Sequence, residues 1–293
     1  MESIHPSLDS PINSHKFVLW AIPIVGLLCL LYWDITNALV MDWYNDPDYS
    51  HGFLVPFLSL FFVWERWDDI KQTEIQPSVW GIGLLGLGLL MLLIGDVGAE
   101  LYTQRCSLIA VLAGLVLLIF GWNIMWLVSL PLAFLVFMVP LPAIVVNTIA
   151  FPLQLFAAKT ATFCLFSLGI PVLREGNLIA LAGTTLEVAE ACSGLRSLLS
   201  LLALGTVYGY FSQRLLWKRW ALVFLSIPIA IVANAIRVSG TGILAHYWGV
   251  EAAEGFYHTF EGWIVFVAAF AMLLVCGTLL SWIGRERLQS AES

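Results

Sequence analysis

The segment Glu190-Ala191-Cys192-Ser193-Gly194-Leu195-Arg196-Ser197 puts a thiol two residues before a long apolar run that starts at Gly194. At a helix amino terminus, unpaired backbone N–H groups and the helix dipole stabilise negative charge, which lowers a thiol pKa toward the nucleophilic thiolate. Arg196 stands four residues after Cys192, on the same face of a helix that includes both. A second cluster, Asn234-Ala235-Ile236-Arg237, lies near the end of another apolar run. An arginine at membrane depth is costly and calls for a partner or a function, and Asn234 precedes it by three residues on one helical face. The third cluster runs from Glu254 to Glu261 around His258, a side chain that gives or takes a proton near neutral pH. Glu254 and Glu261 stand four before and three after it, within reach to orient the ring of a helical segment. A thiolate, a cation and a proton carrier are the parts that acyl transfer requires.

Each part also has a plainer account. An isolated cysteine packs readily at a helix end, with Ser193 and Gly194 easing the turn. An arginine near an interface snorkels to the headgroups, and a histidine beside Phe256 and Tyr257 fits an aromatic belt. His51, in Asp46-Pro47-Asp48-Tyr49-Ser50-His51-Gly52, is a second candidate proton carrier, although Asp-Pro and His-Gly turn chemistry accounts for that stretch by itself. What decides between these accounts is whether the fold brings the three clusters together.

The elements that would do so are membrane helices. Only 11% of the 293 residues are charged and 60% are hydrophobic, with a mean hydropathy of +0.90, whereas a soluble domain carries about a quarter charged residues. The apolar runs are long and continuous rather than alternating, so helices rather than a barrel are expected. With roughly 20 apolar residues per span, the chain reads as an all-α integral membrane protein of about eight transmembrane helices. The expected spans are 17–37, 52–64, 79–95, 105–120, 123–139, 194–211, 220–238 and 262–283. Prolines bracket residues 140–171, and Asn147, Gln154, Lys159, Thr160 and Thr162 interrupt the apolar face within them. An interfacial helix is therefore preferred over a ninth span for 145–168. Residues 176–190 alternate about a Gly-Thr turn and read as a short β-hairpin on the outer face, just before Cys192.

Orientation follows from the cations. With the amino terminus inside, Lys16, Arg66, Lys71, Arg214, Lys218, Arg219, Arg285 and Arg287 fall in the cytoplasm, and the outer loops keep Arg105, Lys159 and Arg174. The expected organisation is a cytoplasmic tail 1–16 leading into an uncleaved signal anchor, one polytopic domain 17–283 and a cytoplasmic tail 284–293. This arrangement puts Cys192, Arg237 and His258 at one leaflet on consecutive helices, which are usually neighbours. The five cysteines form no recognisable disulfide framework, no Cys/His spacing suggests a zinc site, and no cofactor is expected. A net charge of −7 argues against nucleic acid as a partner.

Glu190-Ala-Cys192-Ser-Gly-Leu-Arg196-Ser, Asn234-Ala-Ile-Arg237-Val and Gly255-Phe-Tyr-His258-Thr-Phe-Glu-Gly262, with Tyr49-Ser-His51-Gly52 and Pro56, resemble the motifs of the bacterial exosortases. These are membrane counterparts in function, though not in fold, of the soluble sortases. The resemblance implies a cysteine-dependent protease or transpeptidase of the inner membrane that acts at its periplasmic face. Its partners would be exported proteins that end in a sorting tag: a short Pro-Glu-Pro-like motif, one transmembrane helix and a basic cluster. The acceptor would be water or an amine from the envelope or a polysaccharide. Carried over residue by residue, the resemblance makes Cys192 the nucleophile, Arg237 the catalytic or oxyanion-stabilising cation and His258 the acid/base group. Arg196, Asn234 and Glu254 are then in support. Glu261 stands where a small polar residue is expected, which bears on tag preference rather than on the three.

Two other classes compete. A transporter or a component of exopolysaccharide export would show broken helices with polar groups at the midplane, and a noncatalytic anchor would need no reactive thiol. No Gly-x-Ser-x-Gly or His-Glu-x-x-His pattern points to a serine or metalloprotease.

Overall fold

The computed structural model describes residues 14–182, 184–188, 194–249 and 257–283. In chain order the helices are α1 (Ser14–Asn45), α2 (Leu54–Glu65), α3 (Trp67–Gln72), α4 (Trp80–Val97), α5 (Leu101–Phe120), α6 (Trp122–Phe134) and α7 (Ala143–Ser167). A short sheet follows, of β1 (Val172–Glu175), β2 (Leu178–Leu181) and β3 (Thr184–Glu187). The chain closes with α8 (Gly194–Ser212), α9 (Leu216–Trp248) and α10 (Tyr257–Trp282). Two 3-10 segments, Pro47–Phe53 and Leu135–Met138, precede α2 and follow α6. The fold divides into two compact units, Met1–Asn45 with Glu65–Leu132, and Asp46–Trp64 with Ala133–Ser293.

In the first unit α4 and α5 form a tight hairpin because α4 carries Gly81, Gly88 and Gly95 at seven-residue intervals, all buried. A Cβ at these positions would run into Leu118, Val111 and Gln104 of α5, and one at Gly114 would run into Leu85. Small residues thus let the two backbones approach as they do in membrane helix pairs. Glu100 caps α5 by accepting from the Tyr102 and Thr103 backbone N–H groups. Two polar links fasten α1 to α5: Arg105 donates to Asp42 at 2.6 Å, and the hydroxyls of Tyr32 and Ser107 are 3.0 Å apart. Helix α1 bends by 61° between Ile22–Leu31 and Trp33–Asn45, and at the bend the Thr36 hydroxyl donates to the carbonyls of Tyr32 and Trp33.

In the second unit the order of contacts gives each helix its direction. Gly209 of α8 lies against Arg219 of α9 and Gly205 against Ser226, while Leu198 shares a cavity with Ala230 and Asn234. Hence α8 and α9 are antiparallel. Lys218 near the start of α9 donates to the Ile283 carbonyl just past the end of α10, and Gln213 donates to Gly277, so α9 and α10 are antiparallel too. Helix α7 runs the same way as α9: Leu153 packs with the Ala230 and Ala233 cluster, and Leu165, further on, touches Gly242. The antiparallel sheet, order β1-β2-β3, follows α7 directly. Its Ile179, and Val188 just past β3, are fully buried with Ala157, Ala158, Ala161 and Leu165 of α7 and Val238 of α9.

The expectation of about eight spans is corrected. Among the described residues, five helices are long and apolar enough to cross a membrane, or six if bent α1 counts as one. The expected second span is only the 12-residue α2, about 18 Å at 1.5 Å per residue, against a hydrocarbon core of about 30 Å. The expected fifth span contains Pro131 and passes into a 3-10 turn at Leu135, so Trp122–Met138 is a shorter apolar helix. The expected sixth, α8, is not among the five either, its apolar content diluted by Arg196, Ser197, Ser200, Thr206, Tyr208 and Tyr210.

The interfacial reading of 145–168 changes as well. It is a 25-residue helix that passes the length and composition test for a span. Of the polar residues that seemed to interrupt it, Thr160 and Thr162 donate their hydroxyls to the carbonyls of Phe156 and Ala158, which satisfies those donors within the helix. The hairpin expected over 176–190 is present as β2 and β3, with Leu181 opposite Thr184. The sheet gains β1 across Gly176-Asn177, where Gly176 takes a φ of +67, a conformation glycine adopts without strain.

Candidate active site

The antiparallel order of α8, α9 and α10 brings three chain positions to one end of the second unit. Leu198 and Asn234 line the same cavity. The start of α8 at Gly194 lies four residues before Leu198, and Arg237 lies three residues beyond Asn234, so both stand about one helical turn further toward the same end. Since α10 is antiparallel to α9, its first turn, which contains His258, is at that end too. Arg196 is in the first turn of α8.

Arg237 is buried, with only 7% of its surface exposed, and Asn234 with 6%. Both lie in a helix that is long and apolar enough to span a membrane. A cation in such an apolar surrounding is costly and acts on its neighbours through a field that is little screened. The hydroxyls that follow turn inward: Ser239 donates to the Ala235 carbonyl and Thr241 to that of Arg237. Among the described residues, the buried Asn234 Oδ1 meets no hydrogen-bond donor.

The structure adds a component that the sequence reading left aside. The 3-10 turn Pro47–Phe53 reaches the first turn of α8, where Arg196 Nε and Nη2 lie 2.8 and 2.7 Å from Asp48 Oδ1. The turn is built by its own sequence: Asp46 accepts from the Asp48 backbone N–H, Pro47 sets the first φ, and Tyr49 and Gly52 are buried. On its other side His51 Nε2 donates to the Phe137 carbonyl at 3.2 Å. Asp48 went unnoticed because its partner is 148 residues away; Asp-Pro-Asp read as a turn, and nothing local says which cation it meets.

Burial pushes the His51 ring below its ordinary pKa, and the Phe137 carbonyl bond offsets that only in part. The folded state therefore favours the neutral ring, whereas the unfolded chain takes up its proton near pH 6.5. Stability owed to this ring is complete above about pH 6.5 and declines as the pH falls toward the lowered folded value. The thermal midpoint of the purified protein should accordingly drop between pH 7 and pH 5, and His51→Gln should flatten that drop. A slope unchanged in the variant would show that His51 does not set it.

Of the residues singled out from the sequence, Arg196, Asn234 and Arg237 are described with their side chains and fall within the same unit. Cys192 and Glu254 lie outside the described residues, and His258 is described in its backbone only. Compared with models of known families, residues 43–275 match the one described as Transmembrane exosortase (Exosortase_EpsH). No curated protein and no solved structure matches the chain. The matched stretch takes in every residue of the candidate site, including Asp48 and His51.

Proposed function

The chain belongs to the transmembrane exosortase family, and we propose that it is a cysteine-dependent protease or transpeptidase that cleaves the carboxy-terminal sorting tag of exported proteins. The observation that carries this reading is the family match across 43–275, within which the three motif residues fall. Arg237, buried in α9, stands at about the level of the start of α8, which Cys192 precedes in the sequence, and a cation there suits such chemistry.

In the proposed mechanism Cys192 passes its proton to His258, and its sulfur attacks the scissile carbonyl carbon. The carbonyl electron pair moves onto oxygen, and Arg237 stabilises that oxyanion. Collapse breaks the C–N bond, and His258 returns the proton to the departing amine, which leaves a thioester on Cys192. Water or an acceptor amine then attacks the thioester, its proton passes through His258, and the thiol is restored. Arg196, four residues after Cys192 in the sequence, is held in place by Asp48.

The site is proposed to face the periplasm, because the cations Arg214, Lys218 and Arg219 gather at the opposite end of α9. The test is co-expression with a secreted protein ending in a Pro-containing motif, one apolar helix and a basic tail. The wild type should release the protein without its helix, whereas Cys192→Ala should leave it full-length. Equal processing by both would end this reading.

A further inference from the structure

Asp48 and Arg196 are 148 residues apart in the sequence and meet inside the second unit. Arg196 Nε and Nη2 both approach one oxygen, Asp48 Oδ1, at 2.8 and 2.7 Å. Two donors of one rigid fork on a single acceptor restrict the orientation of the guanidinium as well as its distance, a restriction that the point charge of a lysine does not impose.

The acceptor side of this pair is fixed without Arg196. Asp46 takes the Asp48 backbone N–H on its carboxylate at 2.8 Å and that of Tyr49 on its carbonyl at 3.1 Å. The Ser50 hydroxyl donates to the Pro47 carbonyl at 3.0 Å, and His51 ties the turn to the Phe137 carbonyl. Asp48 therefore stands on a base that its own turn and Phe137 hold. The donor side differs, because Arg196 lies in the first turn of α8, the end of a helix at which the dipole disfavours a cation. The Arg196 and Asp48 side chains are 42% and 35% exposed, and an ion pair so open to solvent adds little to stability. A cation at the unfavourable end of a helix, in a pair that barely stabilises the fold, has its use in what it holds in place.

We propose that Asp48 is a positioning residue of the candidate active site, which acts through Arg196 to lock the first turn of α8 against the 47–53 turn. That helix starts two residues after Cys192 in the sequence, and its start stands at about the level of Arg237. A change in the direction of the first turn shifts the sulfur relative to the guanidinium that receives the oxyanion, and a misplacement of about 1 Å can cost roughly 10²-fold in rate. This deepens the proposed function and rests on it.

Asp48→Asn keeps the shape of the side chain and removes the ion pair. It should lower kcat for tag cleavage by about 10²-fold and leave KM within about twofold, while the thermal midpoint in detergent moves by no more than about 3 °C. Asp48→Glu should recover kcat to within about tenfold of the wild type, and Arg196→Lys should lose as much as Asp48→Asn, because charge without the fork does not fix the turn. The double variant Asp48→Asn/Arg196→Gln should be no slower than Arg196→Gln alone, the non-additivity of two residues that act as one. A wild-type kcat in Asp48→Asn, losses that multiply in the double variant, or a midpoint that falls further than this together with kcat would overturn the positioning role and leave tag cleavage standing. Absence of any cleavage by the wild type would overturn both.

Discussion

Arg237→Gln should slow tag processing by about 10²- to 10³-fold at saturating substrate, the usual cost of removing one group that stabilises the oxyanion. Depth sets the size of the effect: the guanidinium is 7% exposed in a helix apolar enough to span a membrane, so water does little to replace it. Arg237→Lys should recover only part of the rate, since lysine keeps the charge but lacks the planar fork of donors. Both variants are to be compared at matched membrane levels, with thermal midpoints as the control for folding. A glutamine variant that folds and processes within a few-fold of the wild type would remove Arg237 from the chemistry.

The second large effect is structural and belongs to the first unit. Asp42→Asn strands Arg105, which is only 4% exposed and donates to the Asp42 carboxylate at 2.6 Å. Breaking a buried pair by removing one partner costs about 3–5 kcal/mol. The lower end is expected here, about 3 kcal/mol, because Asp42 is itself 42% exposed and water screens the pair from that side. The thermal midpoint in detergent should fall by several degrees. Asp42→Glu should fall less, and adding Arg105→Met to Asp42→Asn should restore much of the loss, since an apolar pair of similar volume avoids the unpaired charge. A midpoint indifferent to Asp42→Asn would mean that the pair holds nothing together.

These two arginines also show what the sequence displayed and what it hid. Continuous apolar runs are a strong signal, and α4, α5, α9 and α10 lie where the runs at 79–95, 105–120, 220–238 and 262–283 indicated. Length was harder to read. Apolar content alone cannot distinguish a span from a short apolar helix such as α2, nor foresee that the helix containing Pro131 gives way to a 3-10 turn a few residues on. In α7 the error ran the other way: Thr160 and Thr162 counted as polar, although each hydroxyl bonds the carbonyl four residues back.

At the site, Arg196, Asn234 and Arg237 could be singled out because an ionisable or amide group inside an apolar run is conspicuous by itself. Asp48 could not. Its meaning lies in a contact with Arg196 across 148 residues, and only the fold supplies that. The glycine heptad of α4 was visible as letters, but its purpose, close backbone approach to α5, lies in the packing of the two helices.

Tag cleavage by this route passes through a covalent bond at Cys192. Wild-type membranes mixed with tagged substrate, quenched in acid and digested, should yield a Cys192 peptide joined by a thioester to the tag-proximal end of the substrate. The adduct should be cleaved by hydroxylamine and be missing from Cys192→Ser. Released product formed at the full rate with no such adduct, or formed equally well by Cys192→Ser, would contradict it.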